Sequence, residues 1–381
     1  MRAVKITLTI QSRSWLVIGL AALLLFFQAL SPPQAHPQAL VIDHTCTDLS
    51  AIPDAWITQT KADLHIVYQH TSHGSQLVTG LNSLEAYTPF GSKYDWEDDG
   101  SPASALDLDD YGIPGCADLS QGDWIDGNGV TPWVTATRTL LNNPSNAHVN
   151  VVVWSWCSIN GHNITRYLDN MEILVSEYPG VTFVFMTGHA EGQGEGAFIH
   201  TANEQIRQHC DDYGRLLFDF ADIENYDPDG SYYYDLPMWD DLDYNPGHAN
   251  NWGQEWCLAN DGSELEQLTT GDGVSGYSGC GSCAHSDGPS NLARINCVLK
   301  GRAAWWMFAR IAGWSGGSGS TPTPTATPTP TGPTPTPTVT PTISFPLSVS
   351  FQPYDAATPV GYHADNGSGY AGHGDCTYGW L

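Results

Sequence analysis

Four stretches of the chain are apolar at nearly every position: residues 64–69 (LHIVYQ), 149–156 (VNVVVWSW), 181–188 (VTFVFMTG) and 215–223 (RLLFDFADI). Continuous rather than alternating apolarity marks strands buried on both faces, as in a parallel sheet covered by helices. Between them the period changes. Residues 164–179 set Ile164, Leu168, Met171, Leu174 and Val175 on one helix face, and residues 198–214 and 292–314 read as further helices. Strand and helix in repeated alternation predict an α/β fold, a three-layer α/β/α sandwich with a mostly parallel sheet.

Outside this domain, placed at 40–314, the pattern breaks twice. Residues 1–35 carry Arg2, Lys5 and Arg13 without an acid, then the run WLVIGLAALLLFFQAL and the segment SPPQAHPQA. That order of basic, apolar and small residues predicts a secretory signal peptide, cleaved after Ala35 or Ala39, rather than a spanning anchor of roughly 20 residues. No other segment is long and apolar enough to span a membrane. Residues 315–343 are rich in Thr and Pro, with proline at alternating positions, which predicts an extended, semi-rigid tether. Residues 344–381 are too few to fold alone without staples. Their sequence is similar to the opening of a β-sandwich module of secreted bacterial proteins, on "NFQP…P.GY..DnG..Y…YGW", so continuation beyond Leu381 into a carbohydrate-binding-like module is expected.

The charge fits export. The chain has 13 Lys and Arg against 41 Asp and Glu, a formal net charge of −28. Removing the leader takes three positive charges and no negative ones. Nucleic acid and anionic lipid are therefore excluded as expected partners. Cysteines at 46, 116, 157, 210, 257, 280, 283 and 297, with Cys376 apart, predict up to four disulfides in an oxidising compartment, with the pairing open. The spacing CGSC, Cys280 to Cys283, also suits zinc or redox chemistry, but no second such pair accompanies it.

In open parallel sheets ligands bind beyond the carboxyl ends of the strands. Four predicted strands deliver polar residues there: His70, Ser72 and His73; Ser155, Cys157, Ser158 and Asn160; Thr187, Gly188 and His189; Asp219 and Asp222. A serine at a strand-to-helix turn is a nucleophile when an imidazole takes its proton and N–H groups hold the oxyanion.

The motifs QHTSHGS, VVVWSWCSIN, ANEQIRQHC…LLFDFADI and CAHSDGPSN…GRAAWW, in that order over residues 62–314, resemble the blocks of the SGNH (GDSL-like) hydrolases, whose fold is flavodoxin-like. The resemblance implies Ser72 as nucleophile and His285 as general base, with Asn160, the Ser72 N–H and Gly122 as the oxyanion hole. The chain departs from the family pattern in three places: HTS replaces GDS, Ser282 stands where an Asp would precede His285 by three residues, and the third block lacks GxND. The orienting acid is accordingly open between Asp287 and Asp272, and a Ser–His dyad is an alternative. The implied function is a secreted or cell-surface serine esterase, monomeric and without a cofactor, that deacylates a polysaccharide or another glycan ester.

His70, His73 and His189 are read as hydrogen-bond partners or substrate contacts. The glycine-rich loop after His189 lacks the lysine of a phosphate loop. Trp252, in an insertion rich in Trp, Tyr and Asp, is a candidate for stacking on a sugar, against a purely structural role in the insertion's own small core. Two other classes stay open. One is a metal enzyme using His70, His73, His189, His285 and Asp222; the other is a non-catalytic carbohydrate-binding or adhesion protein.

Overall fold

The computed structural model describes residues 38–317, apart from 99, 101–103, 122–126 and 128, and the backbone of four short strands between 349 and 378. The expected signal peptide, most of the 315–343 tether and Gly122 lie outside the described residues. Two compact units are distinguished, with a boundary between Thr323 and Pro324. In the second, Val349–Phe351 pairs in parallel with His363–Asp365, and Ala371–His373 pairs antiparallel with Cys376–Tyr378.

A seven-stranded, all-parallel sheet organises the first unit. Its strands are β1 (Leu40–Ile42), β2 (His65–Gln69), β3 (Trp96–Glu97), β4 (Leu106–Asp110), β5 (Val151–Trp154), β6 (Thr182–Met186) and β7 (Leu216–Phe218), in the order β1-β7-β6-β5-β2-β4-β3. The expected three-layer architecture is present, and the alternation of side chains explains the continuous apolar runs. Ile66, Tyr68, Val151, Val153, Val184 and Met186 enter one core; Val67, Val152, Trp154, Phe183 and Phe185 enter the other. Helices α1 (Asp54–Asp63), α2 (Ser75–Ala86) and the long C-terminal helix cover the first face. Helices α3 (Pro132–Leu141), α4 (Ile164–Glu177) and α5 (Phe198–Tyr213) cover the second.

Two boundaries differ from the sequence reading. The run 215–223 is a strand only to Phe218; the Asp219 side chain accepts from the Asp222 N–H and opens α6 (Phe220–Asn225). Within 292–314 the chain first forms a 3₁₀ turn, Asn291–Arg294, capped by Ser290, before α9 (Ile295–Ile311). Between α6 and α9 lie the hairpin β8 (Asp243–Tyr244) and β9 (Asn250–Asn251), then α7 (Trp252–Ala259) and α8 (Glu264–Thr270).

Two glycines permit contacts that place the site. Helices α2 and α9 cross at Gly80 and Gly301, where an added Cβ on Gly80 would lie 2.0 Å from the Cys297 carbonyl oxygen. At Gly74, just after β2, a Cβ would meet Ser155 Oγ at 2.1 Å, so the turn packs directly on the end of β5. Strand β2 is the point from which the chain builds outward in both directions, to β4 and to β5, which makes its carboxyl end the crevice of this sheet.

Candidate active site

Beyond Gln69 the chain turns through Thr71 into a 3₁₀ turn, Ser72–Gly74, and then into α2. Ser72 sits at φ 45°, a conformation that a non-glycine residue rarely adopts. Thr71 Oγ1 donates to Asp118 Oδ2 and the Gly74 N–H to the Thr71 carbonyl, which fix the turn on both sides. The Ser72 hydroxyl makes a short hydrogen bond with His285 Nε2.

His285 comes from the loop before α9 and is also at positive φ, 61°. That loop is held by a disulfide from Cys283 to Cys297 of α9, by Gln76 Nε2 donating to the Ala284 carbonyl at 2.6 Å, and by the Ser286 N–H donating to the Cys283 carbonyl. The other ring nitrogen of His285, Nδ1, lies 3.8 Å from Asp240 Oδ2. A carboxylate on that side favours the tautomer with hydrogen on Nδ1, leaving Nε2 to accept from Ser72. Ser72, His285 and Asp240 thus lie in line across the imidazole, Ser72 hydrogen-bonded to one nitrogen and the Asp240 carboxylate near the other, beyond hydrogen-bond distance.

Asp240 Oδ2 also makes a 2.7 Å hydrogen bond with His73 Nε2. His73 stacks between two other imidazoles, at ring-centroid distances of 3.4 Å from His189 and 4.0 Å from His285, nearly parallel to both. Burial pushes the His73 pKa down, against the opposing pull of Asp240 and with the help of its imidazole neighbours; His189 is likewise lowered, first by burial. Burial pushes the Asp240 carboxyl upward, but His73 and the other imidazoles outweigh it and hold it below the usual carboxylate range. The two buried rings, His73 and His189, thus favour their neutral form beside a carboxyl that favours its ionised form.

Beneath the stack lies a fully buried ion pair, Lys300 Nζ to Glu224 Oε2 at 2.7 Å. Lys300 also bonds Gln76 Oε1 at 2.5 Å, and Glu224 Oε1 accepts from the Ala190 N–H at 2.5 Å. The chain Ala284, Gln76, Lys300, Glu224, Ala190 links the His285 loop to the His189 loop. Burial brings the Lys300 pKa down to about 8, moderated by Glu224.

Of the residues singled out from sequence, Ser72, His73, His189 and His285 come together. Asn160 stands on the loop after β5, where its side-chain amide donates to Glu191 Oε2 at 2.9 Å; Glu191 Oε1 accepts from Ser158 and lies 3.5 Å from His189 Nε2. Asp287 is not the acid beside His285: it accepts from the Cys283 N–H at 2.9 Å and from Arg294 at 2.7 Å, and so braces the loop. Asp272 lies in the turn after α8. His70, 1% exposed, bonds Asp110 at 2.7 Å and sits behind the turn, which places it out of reach of a substrate. Trp252 is fully buried and donates its indole N–H to the Glu224 carbonyl, so the structural role is the one realised. Asp222 pairs with His44 instead of joining the histidines. The disulfide Cys283–Cys297 is formed, while Cys46, Cys116, Cys157, Cys210, Cys257 and Cys280 are thiols.

Asp240, Gln76, Lys300 and Glu224 were not anticipated. Asp240 is one of many acids in a loop, and nothing in MWDDLD distinguishes it. A lysine inside the apolar stretch CVLKGRAAWWMFA was the one available signal for Lys300.

Compared with family models, curated proteins and solved structures, the chain matches none of them. Among the described residues no helix is long and apolar enough to cross a membrane.

Proposed function

We propose that the protein is an exported serine esterase of SGNH type, acting on acyl groups, acetyl first among them, carried by a polysaccharide. The observation that carries the reading is the hydrogen bond from Ser72 Oγ to His285 Nε2, with Asp240 at the opposite nitrogen of the same ring. Ser72 Oγ attacks the ester carbonyl as its proton passes to His285 Nε2, and Asp240 stabilises the resulting imidazolium. Collapse of the tetrahedral intermediate expels the alcohol, which takes that proton; water, activated by the same imidazole, then releases the acid. The Ser72 N–H, at the start of a turn whose first N–H groups have no acceptor within it, serves as an oxyanion donor. A bulky substrate is favoured because the dyad lies open: the His285 side chain is 46% exposed.

A second reading rests on His73, Asp240 and His285, whose ligand atoms lie within 4.8 Å of one another and could hold a metal ion. One experiment separates the two. Release of p-nitrophenol from p-nitrophenyl acetate is followed for the full chain, for Ser72→Ala and for His285→Ala, each with and without a chelator. Activity lost in both variants and indifferent to chelation supports the serine mechanism. Activity abolished by the chelator supports the metal. A wild-type protein that hydrolyses neither this ester nor acetylated xylan rejects the esterase reading.

A further inference from the structure

A second polar cavity opens at the same carboxyl edge of the sheet, at the far end from Ser72. Here β1 and β7 lie side by side; Asp43 directly follows β1, and Asp219 and Asp222 follow β7. The cavity, of about 360 Å³, gathers the carboxylates of Asp43, Glu195, Glu204, Asp219 and Asp222 around one guanidinium, that of Arg207. Arg207 is already engaged, bonding Asp219 at 2.6 and 2.8 Å and Glu204 at 2.6 Å. Among the described residues Asp43 and Glu195 have no ion-pair partner, and Asp222 has only the imidazole of His44.

An independent observation points to a missing positive partner. Asn225 lines the same cavity, is only 5% exposed, and its Oδ1 accepts no hydrogen bond. A buried amide oxygen is normally satisfied, and carboxylates cannot donate to it. The neighbouring acids are also arranged to leave oxygens over. Asp222 Oδ1 accepts from both the His44 N–H at 2.9 Å and His44 Nδ1 at 2.5 Å, and Asp43 Oδ1 accepts from the Thr45 N–H and hydroxyl. No bond occupies the second oxygen of either carboxylate among the described residues.

We infer that this cavity binds a hard divalent cation of the calcium class, through Asp43, Asp222 and the amide oxygen of Asn225, with Glu195 and water completing the shell. Calcium takes six to eight oxygen ligands and tolerates irregular geometry, which suits carboxylate, amide and water donors from three separate elements. Ligand atoms of Asp43, His44 and Asp222 lie within 4.8 Å of one another, close enough to share an ion. His44, with Nδ1 committed to Asp222, orients that carboxylate. The ion would tie the end of β1 to α6, the helix that carries Glu224 and so braces the His189 loop.

The test uses the full chain after dialysis against EDTA, with melting followed at pH 7 in 1 mM CaCl₂, MgCl₂ or ZnCl₂, and calcium binding measured by calorimetry. Calcium is expected to raise Tm by about 4 °C or more, with a smaller effect of magnesium. Asp43→Asn and Asp222→Asn should each weaken calcium binding about tenfold or more; both side chains are partly exposed, and the melt of each variant without calcium separates loss of the site from misfolding. No shift with calcium overturns the inference. So does a shift that survives both substitutions, which would assign the ion elsewhere, such as to Asp241, Asp243 and His248. Binding of zinc alone, lost in His44→Gln, would overturn the oxygen-ligand assignment.

Discussion

Ser72 and His285 share a backbone peculiarity, φ of 45° and 61°, that each would avoid in an ordinary loop. Such conformations cost of order 1 kcal/mol or more apiece and persist where the surroundings over-determine them. Glycine adopts them freely, so Ser72→Gly should raise Tm by a few degrees while removing esterase activity. That pairing of gain and loss is read by a thermal melt beside a p-nitrophenyl acetate assay. Asp240→Asn should lower kcat by about 10²–10⁴, the range for an orienting acid, whereas Asp287→Asn should leave kcat within about threefold and lower stability by about 1 kcal/mol. Equal losses in the two variants would count against Asp240 as the acid. The imidazole stack also sets a pH dependence. His73 and His189 are held below their ordinary value of 6.5, so below that pH the unfolded chain takes up protons that the folded chain refuses. Stability should therefore fall as pH drops through 6.5 and on toward the lowered folded values, by up to about 1.4 kcal/mol per pH unit for each ring. Urea midpoints from pH 8 to 5 measure the slope, and His189→Gln should flatten it.

The elements that hold the site are α2 and α9, and each has a glycine where the two cross. Gly80→Ala would drive a methyl into the Cys297 carbonyl, and since both contacting surfaces are backbone, neither can yield cheaply. A loss of about 3 kcal/mol or more is expected in denaturant unfolding, with the proposed esterase activity per folded molecule also reduced, because Cys297 carries the disulfide that anchors the His285 loop. The disulfide from Cys283 to Cys297 spans 14 residues and encloses His285. Its removal by Cys283→Ser with Cys297→Ser should cost about 2–4 kcal/mol. The buried pair is the third support. Lys300→Met leaves Glu224 charged and alone, which costs about 3–5 kcal/mol, while the double variant Lys300→Met, Glu224→Gln should recover part of it.

At the scale of the molecule, the first unit has its own sheet, both cores and all the residues of the site. A chain ending at Thr323 is expected to keep the Tm of the first unit and the proposed hydrolysis of p-nitrophenyl acetate. Any effect of the second unit should be confined to polymeric substrate, read as a rise in KM on acetylated polysaccharide when residues 324–381 are removed. The strong negative charge, −28, opposes association with acidic surfaces throughout.

The architecture was legible because burial on both faces of a parallel strand forces apolar residues into consecutive positions; VVVW of β5 could be little else. The edge strands β1 and β3 are too short to stand out, and β4, inside the sheet between β2 and β3, is masked because its LDLDD alternates with acids. The pairing of Ser72 with His285 was likewise within reach of the sequence, through the polar residues that follow strands and the order of blocks along the chain. The third member was not. Asp240 lies 168 residues from Ser72 in a loop full of acids, and only the packing of that loop onto the sheet edge selects it over Asp287, which local hydrogen bonds and Arg294 claim first. Tertiary structure alone also chose Trp252 for the core and stacked three histidines that the sequence scatters. Periodicity records what a residue's own element must bury; it holds no record of which distant loop will arrive beside it. The sequence by itself determined the layers and the strand-end location of the chemistry, and the fold decided which carboxylate, which lysine and which ring complete it.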